Sequence, residues 1–354
     1  MGMTSRERLL AAINHARCDR VPTDIWATDE VWAKLIPRCG ATREEVFDTL
    51  HIDAIVSVAP DYTGPPLASV GPDEQVDHWG IRSRRFSYAT GSYWEQSFHP
   101  LAAARSLRDL DEYPWPRADW FDFSPLREKA RMVRETRVVE CGYMAPFYFH
   151  NLLRGLERSL VDPLDDPDFT HEIVRRICSF FYEYHLRAFE SCDGTVDVAQ
   201  VTDDYGGQAG PLISLATFRE FYKPHMRRFI DLCHSFHVIV FHHDDGAIRP
   251  FLPDLVEMGI DVLNPVQHTC PGMEREGLKR DFGRRICFHG GIDNQGALPF
   301  GSEEDVRNEV RRSVDTLASD GTGYILAPCH NIQAVSPVEN ILAMYDEAFN
   351  YGRF

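Results

Sequence analysis

Val238-Ile239-Val240-Phe241-His242-His243-Asp244-Asp245-Gly246 runs from four apolar residues straight into two imidazoles, two carboxylates and a glycine. A short, unbroken apolar run of this kind suits a parallel strand buried on both faces. Ile55-Val56-Ser57-Val58 has the same character. Working outward from these two, eight segments read as strands: Val21–Ala27, Asp53–Pro60, Arg137–Ala145, Val196–Asp204, Val238–Asp245, Asp261–Gln267, Ile286–Asp293 and Gly323–Asn331.

Stretches of helical spacing lie between most of them. Thr42-Arg43-Glu44-Glu45 and Ser336-Pro337-Val338-Glu339 read as capping boxes, in which the first side chain accepts the N3 amide and the Glu reaches back. Pro337 suits a first helical position, where no amide is needed. Ser302 opens an amphipathic helix to about Leu317, and Ser214 opens another that bends near Pro224. Eight strands interleaved with helices predict a closed (β/α)8 barrel, a TIM barrel, rather than an open sheet. The 354 residues fit one such domain over 1–354. The stretch Gly64–Phe121, between strands two and three, breaks the pattern. It is rich in Gly, Pro and aromatics and alternates like a β-hairpin, so it reads as an insertion over one barrel mouth. A lid and a dimer contact are both open roles for it.

Composition narrows the partners. The chain is 44% hydrophobic and 26% charged, which allows a large core. Its net charge is −17 with the Lys and Arg scattered, so neither a nucleic acid nor an anionic membrane is expected. The N-terminus reads as a polar helix rather than a signal segment, and no apolar run is long enough to span a bilayer. Nine Cys, odd in number and without CxxC pairing, read as free thiols in a reducing cytoplasm.

The C-terminal ends of barrel strands build the active site in this fold. Here those ends read Thr202-Asp203-Asp204-Tyr205, His242-His243-Asp244-Asp245, Asn264-Pro265-Val266-Gln267, His289-Gly290-Gly291-Ile292-Asp293 and Ala327-Pro328-Cys329-His330-Asn331. The switch from apolar to His, Asp, Cys and Asn at one end of successive strands is the functional signal. Each residue also has a plainer reading. Asp245-Gly246 suits the N-cap of a helix near Ala247, Cys329 suits a packed thiol, and His289 suits support for the Gly290-Gly291 turn. His243 and Asp245, two residues apart, point to one side if the strand persists. With a thiolate or imidazole from strand eight they make an N/O/S set of three with an open position, the arrangement of catalytic zinc. A metal-free acid/base cluster fits the same spacing.

The chain resembles the uroporphyrinogen decarboxylase superfamily over nearly its whole length. The resemblance is carried by Thr4-Ser5-Arg6-Glu7-Arg8 with Arg20-Val21-Pro22, by Arg154-Gly155-Leu156-Glu157 and by Asp203-Asp204-Tyr205-Gly206. Ile248-Arg249-Pro250 through Asn264-Pro265-Val266-Gln267, Gly290-Gly291-Ile292-Asp293 and Pro337-Val338-Glu339-Asn340-Ile341 complete it. Decarboxylases of the superfamily grip substrate carboxylates with an RQAGR motif near the N-terminus. Here Val21-Pro22-Thr23-Asp24-Ile25-Trp26-Ala27 carries no such arginines, and an Asp in their place disfavours a polycarboxylate. Methyltransferases of the superfamily bind zinc through H-x-C at strand five and a Cys at strand eight. His243-Asp244-Asp245 is similar to the first motif with Asp for Cys, and strand eight offers both Cys329 and His330. His330 also matches a His near the C-terminus of the decarboxylases.

The resemblance thus implies a methyltransferase acting on a small methylated molecule, with a separate corrinoid protein as methyl donor or acceptor. A homodimer is expected. His243, Asp245 and Cys329 or His330 would hold zinc, or Mn or Fe given the harder Asp ligand. Asp204, His243, Asp245 and His330 are the catalytic candidates, and Asp24, Tyr143, Asp203, Tyr205, Gln267 and Asp293 the substrate-binding ones. The rival expectations are a metal-free lyase that moves a proton through Asp204 and His330, and a non-catalytic binding protein on the same scaffold.

Overall fold

A computed structural model describes residues 2–88 and 91–354. Seven parallel strands form one curled sheet in chain order: β1 (Ile55–Ser57), β2 (Val138–Met144), β3 (Val198–Val201), β4 (Ile239–His243), β5 (Val262–Asn264), β6 (Cys287–Ile292) and β7 (Tyr324–Pro328). The predicted first strand, Val21–Ala27, is extended chain with only isolated parallel bridges, Thr23 to Leu326 and Ala27 to Ile332. It still closes the ring. Leu326 N donates to Pro22 O at 2.9 Å and Asp24 N to Leu326 O at 3.0 Å, while Asp53 N donates to Thr23 O at 2.9 Å on the other side. Pro22 has no amide to give, so a regular ladder cannot begin there. The architecture is the expected TIM-type barrel.

Alternation sorts the strands into layers. Val138, Val198, Phe241, Val262, Cys287 and Ile325 pack together inside the barrel. Leu9, Ala12 and Ile13 of the helix Ser5–Ile13 join them and plug the N-terminal end. Arg8 and Arg20 tie this end down through the buried Asp53, with Arg20 Nη1 at 2.8 Å from its carboxylate. The outward residues, among them Val139, Ala199, Val240 and Leu263, pack in the core that contains the surrounding helices.

The helix signals hold in part. Thr42 and Ser302 both form capping boxes, opening the helices Arg43–Thr49 and Glu303–Leu317. The last helix begins one residue later than predicted, at Val338, with Pro337 as its cap and no side-chain capping bond. The bend near Pro224 is a π-helical turn over Phe218–Tyr222, entered from Ser214 and continued by the helix Lys223–Ser235. Proline removes one ladder bond, and the extra residue accommodates the loss.

The insertion contains the expected hairpin. Arg82–Tyr88 pairs antiparallel with Gly91–Phe98, and Glu74–Val76 adds a third strand. Ser92 N and Oγ bond Glu30 Oε1 at 2.9 and 3.1 Å, which anchors the hairpin to the helix Asp29–Cys39. Among the described residues, no helix is long and apolar enough to cross a membrane.

Candidate active site

One extra residue in β2 shapes the site. Glu140 lies opposite Val198 but Tyr143 opposite Gln200, so three residues of β2 span two of β3. Gly142 absorbs this bulge with φ +106°, and a Cβ there would stand 2.3 Å from the His185 ring. A bulge re-aims the following side chain. Tyr143 therefore faces the cleft instead of the helix layer.

Above the apolar layer, the inward positions turn polar. Ser57 Oγ donates to Glu140 Oε1 at 2.5 Å and Gln200 Nε2 to Glu140 Oε2 at 2.9 Å. A second arc runs through His243, Asn264, His289 and Asp24. His289 Nε2–H donates to the Asp24 carboxylate at 2.9 Å, leaving Nδ1 as an acceptor. Asn264 therefore turns Nδ2 to His289, at 2.6 Å, and Oδ1 to His243, at 2.5 Å. His243 carries its proton on Nδ1, so the Nε2 lone pair is bare. Asp24 is fixed in turn by the Ile55 amide at 3.1 Å.

That bare nitrogen faces the ligand cluster. Asp245 Oδ2 lies 3.7 Å from His243 Nε2 and 3.7 Å from His330 Nε2. One donor atom from each of His243, Asp245 and His330 falls within 4.8 Å of the others. Four-coordinate zinc, with bonds of about 2.0–2.2 Å, needs its ligand atoms roughly 3.3 Å apart. The two separations from Asp245 need only a few tenths of an ångström of closure, and the two imidazole nitrogens stand within 4.8 Å of each other, so a donor set of two imidazoles and a carboxylate fits a divalent transition metal once the imidazoles draw together. Burial keeps the His330 imidazole below its usual range, against the pull of the Asp245 carboxylate, which leaves it neutral for ligation.

The loop that carries Asp245 is pinned from all sides. Asp244 Oδ1 accepts the Tyr205 and Gly206 amides at 2.9 and 3.2 Å, and Gly246 N donates to Gln267 Oε1 at 2.8 Å. Gly206 has to be glycine, because a Cβ would sit 2.0 Å from the Asp245 carbonyl oxygen. The helix after this loop starts only at Leu252, so Asp245 is no N-cap and its side chain is left to the cluster.

A cleft of about 700 Å³ opens over these groups, lined by Tyr143, Asp204, His243 and His330 among the expected residues. Burial pushes the Asp204 carboxyl up to about 6, opposed by His243 and reinforced by Asp245. Trp26 forms one wall, its ring centroid 5.2 Å from that of His243 and 6.5 Å from that of His330. Trp32, Phe47, Tyr148 and Phe241 extend the aromatic lining, and among the described residues Arg43 is the one Arg or Lys in it. Arg43 is committed elsewhere, 3.0 Å from Asp29 and 4.8 Å above the Trp32 ring.

Several expected residues lie elsewhere. Cys329 is buried, with Sγ bonded to the Val266 carbonyl at 3.2 Å, and burial drives its thiol far above its ordinary range. Its Sγ is thus turned to that carbonyl, and His330 stands in the cluster with His243 and Asp245 instead. Asp203 accepts the Phe147 and Tyr148 amides at 2.9 and 2.7 Å, capping the helix Pro146–Arg154. Tyr205 is wholly buried beside Phe147, Phe218 and Phe251, with its hydroxyl on Met226 Sδ. Gln267 and Asp293 bond loop amides, at Gly246 and at Gln295 and Ala297, and Asp24 acts through His289. None of these six lines the cleft. The sequence reading passed over Glu140, Gln200, Ser57 and Trp26. A Glu inside Val138-Val139-Glu140-Cys141 was the available signal, since a charge in a strand buried on both faces needs partners.

The chain matches the family model described as uroporphyrinogen decarboxylase (URO-D) over residues 99–351. No curated protein matches it. Among solved structures, a methyltransferase from Methanosarcina mazei superposes with a TM-score of 0.67 at 18% identity, covering 99% of both chains. At that identity the likeness shows the fold. SrfJ from Salmonella typhimurium has a TM-score of 0.40 at 11% identity over 94% of this chain and 75% of its own, which carries no argument.

Proposed function

Because the chain belongs to the uroporphyrinogen decarboxylase family, we propose that it is a metal-dependent methyltransferase. It moves a methyl group from a small methylated molecule, such as a methoxyl-bearing aromatic, to a separate corrinoid protein. The observation that carries this reading is the His243, Asp245 and His330 cluster at an aromatic-walled cleft. The cleft is poor in cations: among the described residues Arg43 is its single Arg or Lys, while Glu44, Glu140 and Asp204 also line it. Such a lining disfavours a substrate with many carboxylates, which would need several guanidinium partners.

His243, Asp245 and His330 would hold zinc, and the metal when bound supplies Lewis acidity toward an oxygen or sulfur atom. The chain's own residues do the rest. Trp26, Phe241 and Tyr143 exclude water from the methyl group and orient it. When the methyl leaves for the acceptor's nucleophile, the substrate oxygen keeps the electron pair of the broken C–O bond. Asp204, held near 6, is suited to give that oxygen a proton. The homodimer and the corrinoid partner belong to this same reading.

A second reading has one observation behind it. The raised Asp204 carboxyl and the neutral His330, both lining the cleft, would serve proton transfer in a metal-free lyase. The deciding experiment is metal content by mass spectrometry of the purified protein beside His243→Ala, followed by methyl transfer from a methoxylated aromatic to a reduced corrinoid protein. Near-stoichiometric metal, absent from the variant, with a methylated corrinoid in the wild type, is the expected result. No metal in either protein would overturn the methyltransferase proposal and leave the lyase in front.

A further inference from the structure

Beside the main cleft lies a second cavity of about 310 Å³, and the two share Ser57, Glu140 and Tyr143 as a common wall. Gly142, at the bulge that swings Tyr143 inward, lines this space as well. The insertion covers the far side. Trp79 packs at 4.9 Å from Phe149 and 5.0 Å from Phe180, and Phe121 and Tyr184 close the ring of aromatics at 5.0 Å from each other. A dry apolar cavity of about 150 Å³ is enough to take a benzene ring, so this one has room for a ring with a substituent.

The polar groups of the cavity define the rest. Among the described residues no Lys or Arg lines it, so nothing there would neutralise an anion. Asp77 is spent on its own loop, accepting the Trp79 and Ile81 amides at 2.9 and 3.0 Å. Glu140 is spent on Ser57 and Gln200. His78 differs: among the described residues its imidazole has no hydrogen bond, and it stands edge-on to Phe121 at 5.2 Å. Burial pushes it down to about 4, so it is neutral and carries one N–H and one lone pair.

We propose that this cavity is a subsite for an uncharged aromatic ring, with the His78 imidazole bonding a hydroxyl or ether oxygen on that ring. The ring belongs to the substrate, whose methyl-bearing end passes Tyr143 and Glu140 into the main cleft; this last clause rests on the reading of that cleft as the methyl-transfer site. The subsite would select phenolic and methoxylated rings over benzoates, because a carboxylate there would lose its water without gaining a cation.

The test measures binding of 2-methoxyphenol, toluene, benzoate and benzyltrimethylammonium by calorimetry, on chelator-treated protein and on His243→Ala. Working without metal separates the two proposals, since the ring should bind whether or not methyl transfer occurs. Ala59 and Val58 line the cavity outside the reactive cluster. Ala59→Trp and, as a second filling variant, Val58→Phe should each weaken 2-methoxyphenol at least tenfold with melting temperature retained. His78→Phe should weaken 2-methoxyphenol about two- to tenfold and leave toluene unchanged, as expected for one hydrogen bond. Unchanged 2-methoxyphenol affinity in both filling variants would overturn the subsite. Benzoate or benzyltrimethylammonium binding more tightly than 2-methoxyphenol would overturn its preference for an uncharged ring.

Discussion

Replacing Asn264 by Ala cuts the arc that sets the His243 tautomer. The side chain loses two bonds, 2.5 Å to His243 and 2.6 Å to His289, and both imidazoles keep a buried nitrogen with no partner. Each orphaned group costs about 1–3 kcal/mol, so global stability should fall by roughly 2–5 kcal/mol. The sharper effect is on the metal. With Oδ1 gone, the His243 proton is free to move to Nε2, where it blocks the donor atom, and the ring is free to turn. Loss of such an outer partner typically weakens metal affinity about 10–100-fold. The assay is zinc competition against a chelator, with nitrogen-detected NMR of the imidazoles to read the tautomer. Asn340→Ala is the control: it also loses two buried bonds, to the Leu298 and Gly301 carbonyls at 3.0 and 2.8 Å, but none to the cluster. The control should hold zinc within about twofold of wild type, since it lies outside the ligand shell. An Asn264→Ala protein that binds zinc as tightly as wild type, with His243 still protonated on Nδ1, would refute the reasoning.

Three further outcomes follow from the geometry. His330→Ala should abolish stoichiometric metal while Cys329→Ala retains it, read by mass spectrometry; metal lost only with Cys329 would reverse the assignment. Asp204 gives a pH signature in metal-free protein. Its folded value, about 6, lies above the ordinary carboxylate value near 4, so the stability it contributes is complete below about pH 4 and is lost as pH rises through 6. Asp204→Asn should gain on wild type by about 2–3 kcal/mol between pH 4 and 7 in chemical denaturation, and parallel curves would contradict the shift. Tyr205→Ala should cost about 3–5 kcal/mol as a core deletion, whereas Tyr205→Phe should leave KM unchanged. A raised KM in a stable Tyr205→Phe protein would return that residue to the substrate site.

The distribution of polar groups explains why the site tolerates internal stress. Asp203, Asp204 and Asp244 all have carboxyls raised by burial, and they occupy the ends of two neighbouring strands. A core built for stability alone would not carry such groups, and buried, shifted carboxyls are the usual mark of a working site. Backbone amides hold both oxygens of Asp203 and Oδ1 of Asp244, whose Oδ2 stays buried without a partner, and Asp204 is the one of the three that lines the cleft.

How much of this was legible in the chain follows from the range of each interaction. Strand identity, the barrel and the end that carries chemistry come from local periodicity: Val238-Ile239-Val240-Phe241 followed by His and Asp is a pattern that any parallel barrel must read the same way. The pairing of His243 with Asp245 is local too, since both leave one strand end two residues apart. What could not be read locally is which of two adjacent residues faces inward once a strand loses its ladder. Cys329 and His330 follow the last residue of β7, where one final ladder bond, Cys329 N to Ile292 O at 2.9 Å, ends the regular pairing, and the contact of Cys329 Sγ with Val266 O is decided 63 positions away. The same holds for Asp24, whose partner His289 is 265 positions off, and for Tyr143, aimed by a bulge that leaves no mark on hydrophobic pattern. Tertiary structure decided these positions because their burial leaves each polar atom only the partner the fold brings to it.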